Sequence, residues 1–123
     1  MLRADEWLYG RAGYLHGLLA FQAQGVQDSQ LEASIKEIAK LILQRGAAYA
    51  RQLNRWAHPS LPPPLMWEWY GDRYMGAAHG VMGILFMLLH VKEMCEGDSL
   101  LLIQQSLQWL ADMRQPSGNW PVV

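Results

Sequence analysis

Apolar residues along this chain recur at helical spacing in three stretches, and one further stretch is apolar almost without interruption. From Gly10 to Gln24 the residues are small and apolar, with Tyr14, Leu15, Leu18, Leu19 and Phe21 around Gly13 and Gly17, and Gly25 is placed to end a helix. Only Arg11 and His16 carry charge or titrate there, so no polar face exists and burial on several sides is expected. His16 then reads as a core-edge histidine with a backbone partner. Asp28 and Ser29 offer N-caps, Glu32 completes a capping box, and Leu31, Ile35, Ile38, Ile42, Tyr49 and Leu53 form the apolar stripe of a second helix. Its other face carries Glu32, Lys36, Glu37, Lys40, Arg45 and Arg51 and reads as solvated surface. Gly46 within it signals a close contact or a break. The apolar stretch runs from Gly76 to Leu89, a Gly-rich turn leading into a third helix that Gly97 ends. A fourth, capped by Asp98 or Ser99, has Leu100, Ile103, Leu107 and Leu110 as its stripe.

The pattern repeats. Sliding the chain so that Gly10 falls on Gly76 also lays Ala12 on Ala78, Gly17 on Gly83 and Leu19 on Leu85, and an amphipathic helix follows each copy. An uncharged Gly-headed helix followed by an amphipathic one, occurring twice, predicts an inner and an outer layer. The expected fold is all-α, a partial α/α toroid: repeat 1 at about 8–54, a Pro and aromatic loop at about 56–74, and repeat 2 at about 75–114. Two hairpins alone leave the flanks of the inner helices bare, which predicts poor solubility or self-association. In this register the counterpart of His79 is Gly13, so scaffolding does not explain the histidine.

The connecting loop contains Leu61-Pro62-Pro63-Pro64-Leu65, which cannot be helical and has polyproline character. Such a segment is a stiff connector, or a ligand for an SH3-type partner. Trp67, Trp69, Tyr70 and Tyr74 follow, either as a roof over the core or as the wall of a substrate cleft.

Composition narrows the functional classes. The chain has 123 residues, 51% hydrophobic and 17% charged with a formal net charge of −1, a globular balance without the basic excess of a nucleic-acid surface. The single cysteine, Cys95, excludes an internal disulfide and fits a reducing compartment. Neither a signal peptide nor an apolar run of membrane-spanning length is visible, and a cytoplasmic location is expected, with any attachment to the plasma membrane coming from segments outside this sequence.

Candidate chemistry centres on His79, the one group between Gly76 and Leu89 that exchanges a proton near neutral pH. The plain alternative is a hydrogen-bonded helix cap among packing glycines. Glu68 and Asp72 are the nearby carboxylates in sequence and so the candidates to orient its ring.

The string Gly76-Ala77-Ala78-His79-Gly80-Val81-Met82-Gly83-Ile84 resembles the Gly-rich His motif of LanC-like proteins, relatives of the cyclases that build thioether rings in lantibiotic peptides. Leu8-Tyr9-Gly10-Arg11-Ala12-Gly13-Tyr14, Trp67-Glu68-Trp69-Tyr70 and Gln115-Pro116-Ser117-Gly118-Asn119-Trp120-Pro121 resemble further blocks of the eukaryotic branch, in the same order. The resemblance covers about a third of a family member. It implies a closed double ring of helices with the site at one mouth, and a zinc-dependent addition of a thiol, from glutathione or a peptide cysteine, to a dehydrated serine or threonine residue. His79 then matches the family's motif histidine, as the acid that protonates the enolate carbon or the base that takes the thiol proton. We further expect helix-start N–H groups around Gly80 to steady enolate charge, and Arg11 to attract a glutathione carboxylate.

The family's zinc-binding Cys and Cys-His segments are not in this sequence, and Cys95 has no second cysteine to complete a set. The chain is therefore expected to hold no zinc, to be inactive alone, and to be a fragment or truncated isoform of a zinc-binding protein. Two other classes stay open: a non-catalytic module that binds glutathione or a peptide, and a toroidal glycosidase, for which Glu68 and Asp72 would have to serve as the two carboxylates.

Overall fold

The computed structural model describes residues 3–53, 62–95 and 97–123. It is all-α: α1 (Arg11–Ala23), α2 (Ser29–Arg51), α3 (Val81–Leu89) and α4 (Asp98–Asp112), with one turn of 3-10 helix, Lys92–Met94, after α3. Helix α1 packs on α2, α3 on α4, and α1 on α3, so two hairpins stand side by side through their Gly-headed helices.

Local chemistry sets these elements. The Asp28 side chain accepts from Gln30 N at 2.9 Å and caps α2. Gly97, not Asp98 or Ser99, is the residue at the cap of α4, with φ 56°, a conformation that glycine adopts at little cost. Gly46 does not break α2. It clears space for Trp67, because a Cβ there would lie 2.4 Å from the indole ring, and Trp67 Nε1 donates to Ile42 O at 2.9 Å. With Met66 N donating to Gly46 O at 3.1 Å, the chain just before Trp69 is fastened to α2.

The core joins Ala12, Leu15, Ile35, Ile42, Leu65, Met66, Ile84, Leu85, Leu88 and Ile103, all at most 1% exposed. Leu65 is thus committed inside. Leu61, the other end of the Pro-rich segment expected to meet an SH3-type partner, lies outside the described residues. Helix α1 departs from expectation: only Arg11, Ala12 and Leu15 are buried and Leu18 and Leu19 are half-buried against the core, while Tyr14 and Phe21 are 49% and 60% exposed. His16 is exposed too. Its ring rests 4.9 Å from that of Trp7 instead of on a backbone partner.

The repeat is real in three dimensions, but its register differs from the one read in sequence. Both caps, Gly10 (φ −121°, ψ −165°) and Gly80 (φ −123°, ψ −168°), have the same extended backbone. Arg11 N donates to Ala4 O at 3.0 Å and Ala12 N to Asp5 O at 3.1 Å; Val81 N donates to Tyr74 O at 3.0 Å and Met82 N to Met75 O at 3.1 Å. A Cβ on Gly13 would sit 2.0 Å from Trp7 O, and one on Gly83 2.0 Å from Ala77 O. Gly10 therefore corresponds to Gly80, Gly13 to Gly83, and the counterpart of His79 is Tyr9, not Gly13. The register read in sequence slips because the second loop has a glycine at each end, Gly76 and Gly80, and only Gly80 is the equivalent of Gly10.

Candidate functional site

The two equivalent loops, residues 6–10 and 76–80, lie against each other, with Leu8 N donating to Ala78 O at 3.3 Å. Each turns tightly into a helix, and each presents an aromatic ring one residue before the cap glycine: Tyr9 in one, His79 in the other.

His79 is oriented by Glu6. Its Nδ1 is 2.7 Å from Glu6 Oε2, across 73 residues of sequence, with side-chain exposures of 27% and 1%. Glu6 also accepts from Leu8 N at 3.0 Å and from Tyr9 N. Both carboxylate oxygens already accept backbone N–H groups, an acceptor arrangement complementary to an Nδ1–H of the imidazole. Among the described residues Nε2 has no hydrogen-bond partner. The expected orienting carboxylates, Glu68 and Asp72, are thus replaced by a residue that the sequence reading passed over. Its only signal was an acidic pair directly ahead of the first Gly-headed block.

Asp5 fixes the segment that carries Glu6. It is 4% exposed and bridges Arg11 Nη1 and Arg45 Nε, both at 2.8 Å, tying the chain before α1 to α1 and α2 at once. Arg11 is 8% exposed and held by Asp5, so its guanidinium serves the scaffold, not a glutathione carboxylate. A buried charge with two well-placed partners keeps its geometry.

Trp69 lies on the imidazole, ring centroids 3.9 Å apart and planes 6° from parallel. Tyr9 runs nearly parallel to both, 6.1 Å from Trp69 and 6.3 Å from His79. A two-residue turn delivers Trp69: Trp69 N donates to Asp72 O at 2.9 Å and Asp72 N to Trp69 O at 3.1 Å, and the central residues Tyr70 and Gly71 have φ of 51° and 81°, as in a type I′ turn. Asp72 thus acts here through its backbone. Tyr70 is 86% exposed and edge-on to Trp69 at 4.8 Å, and Glu68 is exposed and accepts from Tyr49 Oη at 3.1 Å. Neither carboxylate is bonded to His79, and nothing in their placement supports a glycosidase pair.

Gly80 is buried, and a Cβ there would meet Tyr74 O at 2.2 Å. The expected anion-steadying amides are already used: Gly80 N donates to Gly76 O at 3.1 Å, Val81 N to Tyr74 O and Met82 N to Met75 O. The role of Gly80 is to let the loop close on itself.

Beside the stacked rings opens a cavity of about 920 Å³, lined by Tyr9, Trp69, Tyr70, Arg45, Tyr49 and Glu68 among others. Among the described residues no group of three His, Cys, Asp or Glu side chains is arranged to hold a metal. Cys95 is half-buried, its Sγ lies 3.5 Å from Val91 O, and burial pushes its thiol pKa up, which opposes the thiolate that a metal needs. It follows α3, whereas His79 precedes it, so the length of that helix, about 13 Å, separates them. No described helix is long and apolar enough to cross a membrane.

A family model described as Lanthionine synthetase C-like protein matches residues 2–123. The Danio rerio protein named Glutathione S-transferase LANCL1 is 36% identical over 117 residues, 94% of this chain and 28% of that protein, so the chain spans under a third of the length of that relative. With the family motif, the doubled Gly-headed loops and the family match all falling on the same residues, the chain belongs to the lanthionine synthetase C-like family.

Proposed function

We propose that these residues supply the proton-transfer half of a thiol addition, in which glutathione or a peptide cysteine adds to a dehydroalanine or dehydrobutyrine residue. The observation that carries this reading is the Glu6–His79 pair: an imidazole clamped at Nδ1 by a buried carboxylate, covered on one face by Trp69, with Nε2 unpartnered among the described residues. The name of the zebrafish relative supports glutathione as the thiol. In the reaction the sulfur bonds to Cβ of the unsaturated residue, the C=C electron pair moves toward the carbonyl as an enolate, and a proton reaches Cα. The proton lost by the thiol balances the one gained by carbon. His79 Nε2 is the group that delivers it, and Glu6 holds the imidazolium that exists just before transfer. Activation of the thiol by zinc, which the family implies, falls to residues other than those described here. The remainder of the toroid would complete the mouth around this pair, at a cytoplasmic location.

The test is adduct formation, followed by mass spectrometry, between glutathione and a dehydroalanine peptide, using a full-length LanC-like protein that carries these residues. His79→Ala is expected to lower the rate by about 10²-fold or more, and Glu6→Gln by about 10- to 100-fold through loss of ring orientation. Wild-type rates in His79→Ala would refute the assignment. Glutathione binding without any adduct in the unaltered protein would favour a non-catalytic module instead.

A further inference from the structure

The true register of the repeat makes Tyr9 the structural twin of His79, and both rings meet Trp69. Tyr9 is 70% exposed, yet its position is fixed, since its backbone N–H is held by Glu6, the same carboxylate that holds His79. An exposed aromatic ring on a tethered loop, nearly parallel to the half-buried Trp69 ring and lining the same cavity, offers a flat surface on the cavity side. Flat conjugated groups stack on such surfaces more favourably than tetrahedral ones of similar size. Of the two reactants, the acceptor is the flat one: the C=C of a dehydrated residue is conjugated with its flanking peptide groups, whereas saturated residues pucker at Cα.

We propose that Tyr9 and Trp69 form the wall on which the unsaturated residue of a polypeptide acceptor lies beside His79, with the flanking peptide running into the cavity toward Tyr70 and Arg45. This rests on the thiol-addition reading and adds a residue to it: Tyr9 positions the acceptor and selects unsaturated over saturated residues. Arg45 lines the cavity while its Nε is fixed to Asp5 at 2.8 Å, and a guanidinium has further N–H donors suited to peptide carbonyls.

Two measurements test it. In the first, a short dehydroalanine peptide and the same peptide with alanine in its place are titrated into the protein by calorimetry. The unsaturated peptide is expected to bind about three- to tenfold more tightly, Tyr9→Ala to abolish that preference, and Tyr9→Phe to retain it. In the second, steady-state addition by the full-length protein separates KM from kcat: Tyr9→Ala is expected to raise the acceptor KM about three- to tenfold while kcat and the KM for thiol stay within about twofold. Equal affinity for the two peptides, no binding of either, an unchanged preference in Tyr9→Ala, or loss of kcat in Tyr9→Phe would each overturn the proposal. A Tyr9-dependent preference in a protein that forms no thioether would leave the acceptor wall standing and remove the thiol-addition reading instead.

Discussion

Replacing Glu6 tests the centre of the site directly, because three donors converge on a side chain that is 1% exposed. Glu6→Ala strands Tyr9 N and His79 Nδ1, while Leu8 N keeps Ala78 O at 3.3 Å. Hydrogen bonds to a charged acceptor contribute about 1.5–3 kcal/mol each, and removing one member of a buried pair costs about 3–5 kcal/mol. With one donor rescued, a loss of about 3–4 kcal/mol is expected, a large share of a domain stability of about 5–15 kcal/mol. The isosteric Glu6→Gln keeps one acceptor oxygen and should lose about 1.5–3 kcal/mol. The imidazole contact itself is isolated by a double-mutant cycle of Glu6→Gln, His79→Ala and the combined variant, read by urea unfolding near pH 7. A coupling energy of about 1–2 kcal/mol is expected for a short, part-buried contact to a buried carboxylate. Coupling below about 0.3 kcal/mol would mean that Trp69 stacking alone orients His79, and the acid–base assignment would lose its physical basis.

Two further outcomes follow from packing and burial. Gly46→Ala gains about 1 kcal/mol in helix propensity yet forces a Cβ within 2.4 Å of the Trp67 ring, so a net loss of about 1–2 kcal/mol is expected in thermal unfolding, with altered near-ultraviolet dichroism because Trp67 leads into the Trp69 turn. A variant as stable as wild type would show that Trp67 can shift freely. Cys95, its thiol pKa raised by burial, should react with iodoacetamide more slowly than free cysteine at pH 7.5. A raised native pKa favours the protonated fold, so this contribution is fully present below the unfolded-state value of about 8.5 and is lost as pH climbs through the native one. Stability relative to Cys95→Ala should therefore fall only above about pH 8.5, and a reactive thiol at neutral pH would contradict the burial.

What could be read in advance, and what could not, divides along a physical line. Helix existence was legible because it depends on local period and caps: the Asp28 cap, the stripe through Ile35 and Ile42, and the apolar run to Leu89 all lie where spacing placed them. His79 was legible because a lone titratable ring in an apolar turn is conspicuous within its own window. Glu6 was not, since its meaning depends on a contact made 73 residues away, and within its own window it is one more acidic residue near a chain start. Proximity in sequence favoured Glu68 and Asp72 for the same reason that it misled: two residues of the aromatic segment sit near His79 in the chain, but the turn at Tyr70 and Gly71 sends Trp69, not a carboxylate, onto the imidazole.

The same distinction explains why the helix-start amides near Gly80 were assigned to the wrong task. An isolated helix leaves its first N–H groups open, and an anion is the usual partner. Here the loop before each Gly-headed helix curls back so that its own carbonyls fill them, at Tyr74, Met75 and Gly76 in one copy and at Ala4 and Asp5 in the other. Glycine is needed at 10, 13, 80 and 83 because that closure brings backbone within about 2–3 Å of where a Cβ would stand. A turn closed in this way cannot bind charge through its amides, but it is rigid, and rigidity is what it contributes: each copy holds the ring just ahead of its cap glycine. Two such mounts face one tryptophan. The two mounts carry different rings on one scaffold, an imidazole on one and a phenol on the other, and Glu6 couples them through a single carboxylate.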